Sequence, residues 1–198
     1  MIVTRQKPEE WQPIACLNWP EAYSYAPDVK FRIWHSDALL HIEYRVTERT
    51  TKAEQTVPGG PVYMDSCVEC FIQPDERDPH YYNFEWNAAG RLAMACRTGR
   101  DDPEPAPLSV IGSVEVKPSL GTAPFAERAA GTWTLEVAIP VAALFHAGLE
   151  SWSGRRMRMN LYKCGDGLTD VHYLTWAPVR TESPDYHRPE FFVPVTFE

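Results

Sequence analysis

Alternating polar side chains distinguish residues 63–92 from the rest of the sequence. Asn83, Glu85 and Asn87 occupy every second position, with an aromatic residue on either side of Glu85. In an extended strand this spacing places two amides and a carboxylate on one face and the aromatic rings on the other. Planar amides and carboxylates offer paired donors and acceptors to a ligand that is rich in hydroxyl groups. The pattern therefore favours a polar binding face.

Two acids in this segment offer an alternative chemistry. Glu69 and Glu85, on neighbouring strands, would form a carboxylate pair of the kind that glycosidases use. The sequence contains no G-x-S-x-G elbow, no Walker-type phosphate loop and no G-x-G-x-x-G after a strand. A glycan-processing hydrolase is therefore the enzymatic hypothesis.

Metal ligation has weaker support in the sequence. The histidines form no H-E-x-x-H or H-x-H pattern, so a catalytic zinc site is not predicted. Several aspartates in or beside predicted loops could be oxygen ligands for calcium, or turn-forming carboxylates that accept bonds from local backbone amides. They are Asp37, Asp65, Asp75, Asp78 and Asp166.

The cysteine pattern predicts reduced thiols. The five cysteines are odd in number and widely scattered, which is unlike a disulfide framework. Cys67 and Cys70 form a C-x-x-C inside a predicted strand, where alternation directs their side chains to opposite faces. No second C-x-x-C completes a zinc site, so the pair is interpreted as structural.

Aromatic residues at strand ends suggest platforms for a ligand. Sugars present apolar C–H faces that stack on flat rings, and Tyr63, Trp176 and Tyr186 stand at strand ends or in loops. His172 and Trp176 alternate within one run and are predicted to share a side. Other tryptophans alternate with polar neighbours inside strands and are assigned to the core. They are Trp34, Trp86 and Trp133.

The periodicity predicts an all-β protein. About ten runs alternate between apolar and polar residues and are bounded by turn residues. They are residues 29–34, 39–46, 66–72, 81–87, 91–97, 110–116, 132–139, 156–163, 170–176 and 191–197. One short helix is predicted over residues 140–149, where proline stands at the first position. We expect a two-sheet antiparallel β-sandwich (jelly-roll or immunoglobulin-like) that forms a single domain over residues 1–198.

Charge and hydropathy exclude some partners. The formal net charge of −8 provides no basic stripe for nucleic acid. No apolar run is long enough to span a bilayer, so no membrane partner is predicted. The N-terminus lacks the apolar core of a secretory signal, which predicts a soluble, cytoplasmic protein. An extracellular or periplasmic location would require a leader that has been removed.

Five motifs in a fixed order indicate a family. They are DSCVECFI (residues 65–72), YNFEWNAAG (82–90), WTLEVAIP (133–140), RMNLYKCGD (158–166) and HRPEFF (187–192). From about residue 29 to the C-terminus, this series resembles the carbohydrate-binding family 9-like proteins. These are relatives of the family 9 carbohydrate-binding modules that are attached to xylanases.

The resemblance implies a non-catalytic β-sandwich that holds a saccharide between aromatic platforms, in service of polysaccharide catabolism of the xylan or cellulose type. On matching positions it implies stacking by Tyr63 and Trp176, with Tyr186 in reserve. The implied hydrogen-bonding residues are Glu69, Asn87 and Arg91. Calcium is the metal known in such modules, but its ligands do not map onto this sequence.

Related sandwich domains also carry haem, which gives a third hypothesis. Methionine and histidine are the axial ligands that it would need. The candidates are Met64, Met94, Met157, Met159 and His172.

Overall fold

The computed structural model describes residues 1–129 and 131–198, and strands dominate them. The strands are β1 (Ile2–Val3), β2 (Gln12–Pro13), β3 (Asp28–His35), β4 (Leu39–Thr47), β5 (Thr50–Ala53), β6 (Cys67–Gln73), β7 (Tyr81–Asn87), β8 (Leu92–Arg97), β9 (Glu104–Pro105), β10 (Glu115–Pro118), β11 (Phe125–Ala129), β12 (Thr132–Pro140), β13 (Arg156–Cys164), β14 (Tyr173–Thr175) and β15 (Val193–Phe197). The helical elements are α1 (Leu108–Ile111) and three 3-10 turns, Val62–Met64, Val141–Ala143 and Pro189–Phe191.

Two larger sheets form the sandwich that the sequence predicts. An eight-stranded sheet has the order β1-β15-β13-β6-β7-β8-β9, and β14 also pairs with β13. A five-stranded sheet has the order β10-β12-β4-β3-β2, and β5 pairs separately with β11. The pairs are antiparallel except that β1 runs parallel to β15. In the described part of the chain, no helix has the length and apolar character needed to cross a bilayer.

The core lies between these two sheets. Strand alternation directs one side chain in two inward, so β3 buries Phe31 and Ile33 while β7 buries Phe84 and Trp86. The Tyr44 hydroxyl crosses from the five-stranded sheet and donates to the Glu69 carbonyl oxygen at 3.1 Å. The aromatic residues Phe84 and Trp86 of β7 therefore pack inside. The polar row of β7, namely Asn83, Glu85 and Asn87, faces outward.

Two of the predicted elements are wrong. Residues 140–149 form only the 3-10 turn Val141–Ala143, because Leu144 leaves the helical region with a ψ of 64°. Residues 110–116 do not form one strand. The segment after Pro107 closes helical bonds, with the Gly112 amide donating to the Leu108 carbonyl at 2.9 Å, and the next strand begins at Glu115.

The core assignments of the tryptophans are correct for two of the three. Trp86 and Trp133 are buried between the sheets. The assignment of Trp34 to the core is wrong, because the neighbouring odd-numbered positions of β3 take the inner face. Trp34 is half-buried on the outer face, where it stacks on His41 with ring centroids 5.1 Å apart and carries Lys7 over its ring. As predicted, Cys67 and Cys70 lie on opposite faces of β6.

A second apolar layer covers part of the outer face of the eight-stranded sheet. Side chains from the middle of that sheet meet residues of the segment that follows β13. The buried members are Trp19, Val62, Cys67, Phe71, Tyr81, Tyr162, Cys164, Val179, Tyr186 and Phe192. This cover leaves one edge of the polar row open, and the pocket described next lies at that edge.

Candidate functional site

A pocket of about 260 Å³ opens on the outer face of the eight-stranded sheet. Strands β6, β7, β8 and β13 form its floor, the turn Val62–Met64 forms one wall, and the segment after β13 forms the other. Its lining residues are Tyr63, Glu69, Glu85, Arg97, Arg100, Cys164, Asp166, Tyr173, Pro184, Asp185, Tyr186 and His187. Of the polar row Asn83, Glu85 and Asn87, Glu85 is the residue that lines the pocket floor.

Two carboxyl groups lie side by side in this floor. Glu69 and Glu85 are directly opposite each other in the register of β6 and β7 and are 3% and 7% exposed. Burial raises the pKa of Glu69 well above its ordinary value, and the charge of Glu85 raises it further. Burial also raises the pKa of Glu85, against the lowering effects of Asn83 and Arg97. Both shifts favour the protonated form, and a protonated carboxyl group can donate as well as accept hydrogen bonds.

A relay of hydrogen bonds fixes Glu85. The Arg97 Nε donates to the Asn83 Oδ1 at 2.9 Å, and the Asn83 Nδ2 donates to the Glu85 Oε1 at 2.8 Å. Arg97 is held in turn by the Arg100 carbonyl oxygen at 2.6 Å. Because Asn83 and Glu85 share a face of β7, strand alternation alone places this relay beside the pocket.

Further acid groups enter from β13 and the loop after it. The Cys164 thiol donates to the Glu69 Oε1 at 3.1 Å. Asp166 lines the pocket, and burial raises the pKa of its carboxyl. Its backbone amide donates to the Tyr63 carbonyl oxygen at 3.1 Å, which ties the two walls together.

Aromatic rings form the walls. Tyr63 is 44% exposed and presents its ring to solvent. Tyr186 is only 8% exposed, because its ring stacks on Tyr162 with centroids 4.1 Å apart and its hydroxyl donates to the Lys163 carbonyl oxygen at 3.0 Å. Tyr173 packs edge-on against Tyr186. The walls thus combine one free ring with two rings fixed by their neighbours.

A neutral histidine closes the far side of the pocket. The Tyr81 hydroxyl lies 3.0 Å from the His187 Nδ1, and Phe71 packs against the same imidazole. Burial lowers the pKa of His187 to about 4, and the charge of Arg97 acts in the same direction. His187 therefore adds a hydrogen-bonding group without adding charge at neutral pH.

Three of the six residues proposed from the sequence line this pocket, namely Tyr63, Glu69 and Tyr186. Trp176 lies outside it, half-buried with its ring edge-on to Phe31 at 5.6 Å, so it contributes to packing between the sheets. Arg91 also lies outside it, at the hairpin turn between β7 and β8.

Asn87 is the third residue outside the pocket, and its amide organises the hairpin. Its Oδ1 accepts from the backbone amides of Ala89 and Arg91, at 3.2 and 2.9 Å. Its Nδ2 donates to the Asp65 Oδ2 at 2.9 Å and to the Gln55 carbonyl oxygen at 3.1 Å. The side chain is fully buried, so no amide group is free for a ligand.

We expect Asn87→Ala to lower the free energy of unfolding by about 2–3 kcal/mol, because it leaves buried donors and an acceptor without partners. Urea unfolding followed by tryptophan fluorescence measures this loss. Ligand affinity of the folded variant should remain within about threefold of the parent. A stable variant that had lost its ligand affinity would place Asn87 in the binding machinery instead.

Several pocket residues were not proposed as binding residues from the sequence. The sequence places Glu85 on the polar face and in the carboxylate pair, and Asp166 among the calcium candidates, but assigns neither of them to the saccharide site. Arg97, Tyr173 and His187 are not singled out from the sequence. Ala93 of β8 lies opposite Glu85, and Arg97 is four residues further along β8, so both point to the same face of the sheet. Extending the alternation argument from β7 to β8 therefore predicts Arg97 on the polar face. The positions of Asp166, Tyr173 and His187 depend on how the loops fold over the sheet, which no periodicity in the sequence indicates.

The residues considered for calcium and haem are not grouped. Asp37, Asp75 and Asp78 contact Arg5, Arg77 and His80, while Asp65 accepts from Gln55 and Asn87. Met94, Met157 and Met159 pack in the core. Both ring nitrogens of His172 have partners, Lys163 Nζ at 2.7 Å and the Asp170 carbonyl oxygen at 2.7 Å.

Comparison with known proteins places the fold in a family. The model of carbohydrate-binding family 9 matches residues 2–197. The crystal structure of a candidate carbohydrate-binding protein from Bacteroides uniformis ATCC 8492 is 39% identical to this chain. It superposes with a TM-score of 0.92 and covers 96% of this chain and 86% of its own. No curated protein matches this chain.

More distant structures share the architecture. A family 9 carbohydrate-binding module from Caldicellulosiruptor kristjanssonii in complex with glucose has a TM-score of 0.65 at 12% identity, over 100% of this chain and 95% of its own. A family 9 module from the same organism in complex with cellotriose has a TM-score of 0.64 at 12% identity, over 100% and 93%. Since the family match spans nearly the whole sequence, this chain belongs to carbohydrate-binding family 9.

Proposed function

We propose that the pocket binds a single sugar ring, such as the terminal unit of a saccharide, without catalysing its cleavage. The observation that carries this proposal is the buried pair of Glu69 and Glu85 in the same pocket as the exposed ring of Tyr63. A partly protonated carboxyl pair offers both donors and acceptors, which suits the hydroxyl groups of a sugar. A volume of about 260 Å³ favours one ring rather than an extended chain.

Each wall has a role in this proposal. Tyr63 stacks on an apolar C–H face of the sugar, while Tyr186 and Tyr173 bound the opposite side. Glu69 and Glu85, in the pocket floor, form hydrogen bonds with the hydroxyl groups of the sugar. Arg97 and Asp166 enlarge the set of polar partners at the rim. The fixed neighbours of Tyr186 and Glu85 reduce the entropy lost on binding, because these side chains are already ordered in the free protein.

Relatives support the ligand class. Family 9 modules with the same fold are described in complex with glucose and with cellotriose. We therefore propose a glucose-type or cello-oligosaccharide end as the ligand of this chain, in service of the breakdown of xylan or cellulose. Residues 1–198 would act as one binding unit in this role.

The hydrolase hypothesis is less well supported. Catalytic carboxylates flank the scissile bond, whereas Glu69 and Glu85 rise side by side from one floor. Sustained release of reducing sugar from xylan or cellulose oligomers, lost in Glu69→Gln, would favour hydrolysis over binding.

We expect Tyr63→Ala to weaken the affinity for glucose and cello-oligosaccharides about tenfold or more, because it removes the exposed stacking surface. Isothermal titration calorimetry with glucose, cellobiose and cellotriose measures the change. Tyr63→Phe keeps the ring and should bind within about threefold of the parent.

A matched aromatic control is Trp11→Ala. Trp11 lies beside the five-stranded sheet beneath the Arg32 guanidinium, far from the pocket, and its loss should leave the affinity unchanged. Equal affinities of the parent and Tyr63→Ala for all three sugars would refute the proposed site. Absence of binding by the parent protein would refute the ligand class.

A further inference from the structure

Three potential metal ligands meet at the bottom of the pocket. Cys67 of β6 and Cys164 of β13 are directly opposite each other in the register, and Glu69 lies two residues along β6 on the same face. One ligand atom from each residue lies within 4.8 Å of the other two. Two thiols and a carboxylate thus converge from two adjacent strands, without any contribution from a mobile loop.

The separations approach those of a tetrahedral site. With metal–sulfur bonds of about 2.3 Å and a metal–oxygen bond of about 2.0 Å, two sulfur ligands lie about 3.8 Å apart and a sulfur and an oxygen about 3.5 Å apart. The Cys164 Sγ and the Glu69 Oε1 are 3.1 Å apart in the protein. Small rotations of the side chains would therefore admit an ion.

We infer that Cys67, Cys164 and Glu69 bind a thiophilic divalent cation of the zinc class at the floor of the pocket. Thiolates select such ions, whereas calcium and magnesium prefer shells of oxygen ligands. Three protein ligands leave one coordination position for water or another ligand, which is the arrangement of an open zinc site. Glu69 and Cys164 both line the pocket, so the open position faces the space through which the ion enters.

The surrounding charges favour a cation at this place. Glu85 lies beside Glu69, and Asp166 follows Cys164 by two residues in the same pocket. Four carboxyl groups line the pocket, those of Glu69, Glu85, Asp166 and Asp185, against the two guanidinium groups of Arg97 and Arg100. Lys163 belongs to the opposite face of β13, where its Nζ is 2.9 Å from the Glu48 Oε2. A divalent ion would offset the negative charge that two thiolates and a carboxylate acquire when they lose their protons.

The other cysteines serve as internal controls. Cys70 and Cys96 face the core between the sheets, and Cys16 donates to the Trp176 carbonyl oxygen at 3.3 Å. Among residues 1–129 and 131–198, the group of Cys67, Glu69 and Cys164 is the one in which three such ligand atoms approach this closely.

Titration of the reduced, metal-free protein with Co²⁺ tests the inference. We expect saturation at one equivalent, with thiolate-to-metal charge transfer in the near ultraviolet and intense visible bands of tetrahedral cobalt. Zn²⁺ should displace the Co²⁺ and abolish the bands. Cys67→Ser and Cys164→Ser should each lower the affinity at least a hundredfold, while Glu69→Gln weakens binding but keeps a thiolate band.

Cys16→Ser and Cys70→Ala should retain the full spectrum. Circular dichroism of each variant confirms that it is folded, and a rise in the melting temperature of the parent with Zn²⁺ gives a second readout. A parent protein without a thiolate band, or a band that persists unchanged in both Cys67→Ser and Cys164→Ser, would overturn the site. These measurements contain no sugar, so their failure would leave the saccharide proposal untouched.

Discussion

Replacing Glu69 with Gln is expected to abolish saccharide binding and to stabilise the protein. Binding is lost because glutamine replaces one carboxyl oxygen with an amide nitrogen, which can neither accept a hydroxyl proton nor share a proton with Glu85. Stability rises because the folded protein holds this acid at a raised pKa, mainly through burial and then through the charge of Glu85. Glutamine removes the cost of charging a buried group. Near neutral pH, Glu69→Gln should therefore unfold at a higher urea concentration than the parent.

The size of this stabilisation should increase with pH. A carboxyl whose folded pKa lies above its unfolded value destabilises the protein as pH rises above the unfolded pKa. The advantage of Glu69→Gln should therefore be small near pH 4 and should grow towards pH 8. Urea unfolding of metal-free protein at both values, together with calorimetric titration of sugar, measures the two effects. Loss of stability at about pH 8, or sugar affinity equal to that of the parent, would contradict this prediction.

Glu43→Gln is the matched control of opposite sign. Burial acts to raise the pKa of Glu43, but its bonds with Lys7 and Arg32 dominate and hold it below the usual range. Its contribution to stability is present above the unfolded pKa and is lost as pH falls. Glu43→Gln should therefore destabilise the protein near neutral pH and leave sugar binding unchanged.

Replacing Lys163 with Met is expected to have the largest effect on stability. The Lys163 ammonium and the Glu48 carboxylate are both fully buried, with 2.9 Å between the Nζ and the Oε2. Trp133 and Thr51 donate to the other carboxylate oxygen at 2.8 and 3.1 Å, which fixes Glu48 in place. Removing the lysine leaves a buried charge without its partner, and we expect a loss of about 3–5 kcal/mol.

The pH dependence identifies the cause of this loss. In the parent, burial and the charge of Lys163 lower the pKa of His172 to about 3, so its Nε2 accepts from the lysine. Without the lysine, His172 can protonate and compensate Glu48, whose Oε2 is 3.8 Å away. The deficit of Lys163→Met should therefore be smaller at about pH 5 than at about pH 8. Urea unfolding at both values measures it.

Two control variants distinguish the effect of breaking the buried Lys163–Glu48 pair from the effect of losing one positive charge. Lys30→Met removes an exposed lysine that contacts Asp28 and should cost less than about 0.5 kcal/mol. The double variant Glu48→Gln with Lys163→Met should recover part of the loss, because no buried charge remains. A deficit below about 1 kcal/mol for Lys163→Met, with no change between the two pH values, would contradict the interpretation.

The sandwich could be predicted because alternation along its strands directs one set of side chains to the core between the two sheets. Alternation in β3, β4, β6, β7, β12 and β13 places Phe31, Tyr44 and Trp86 inward, and the structure confirms these strands. Residues 140–149 have a helical pattern of apolar residues, but the chain leaves the helix at Leu144. Trp34 lies on the outer face although its ring is apolar, because the odd-numbered residues of β3 point into the core and Trp34 points the other way.

The site could be predicted only in part, for a related physical reason. The floor follows from parity and register, which is why Glu69 lies beside Glu85. Asn87 shares that parity, yet pairing between β7 and β8 ends beside it and its amide turns to the hairpin backbone. The wall of Tyr173, Asp185 and His187 depends on contacts between distant parts of the chain. These contacts leave no local pattern in the sequence.

The parallel pairing of β1 with β15 joins the two ends of the chain, with Ile2 opposite Thr196. The pocket likewise combines residues that are synthesised at different times. Its floor contains Glu69 and Glu85, which a ribosome produces early, while Tyr186 and His187 of its wall emerge roughly a hundred residues later. A chain synthesised only as far as β8 contains Glu69 and Glu85 but neither the β13 residues of the floor nor the wall residues Tyr186 and His187. Closure of the pocket therefore requires residues about a hundred positions apart in the sequence to pack together, and it can follow only after the segment behind β13 has been synthesised.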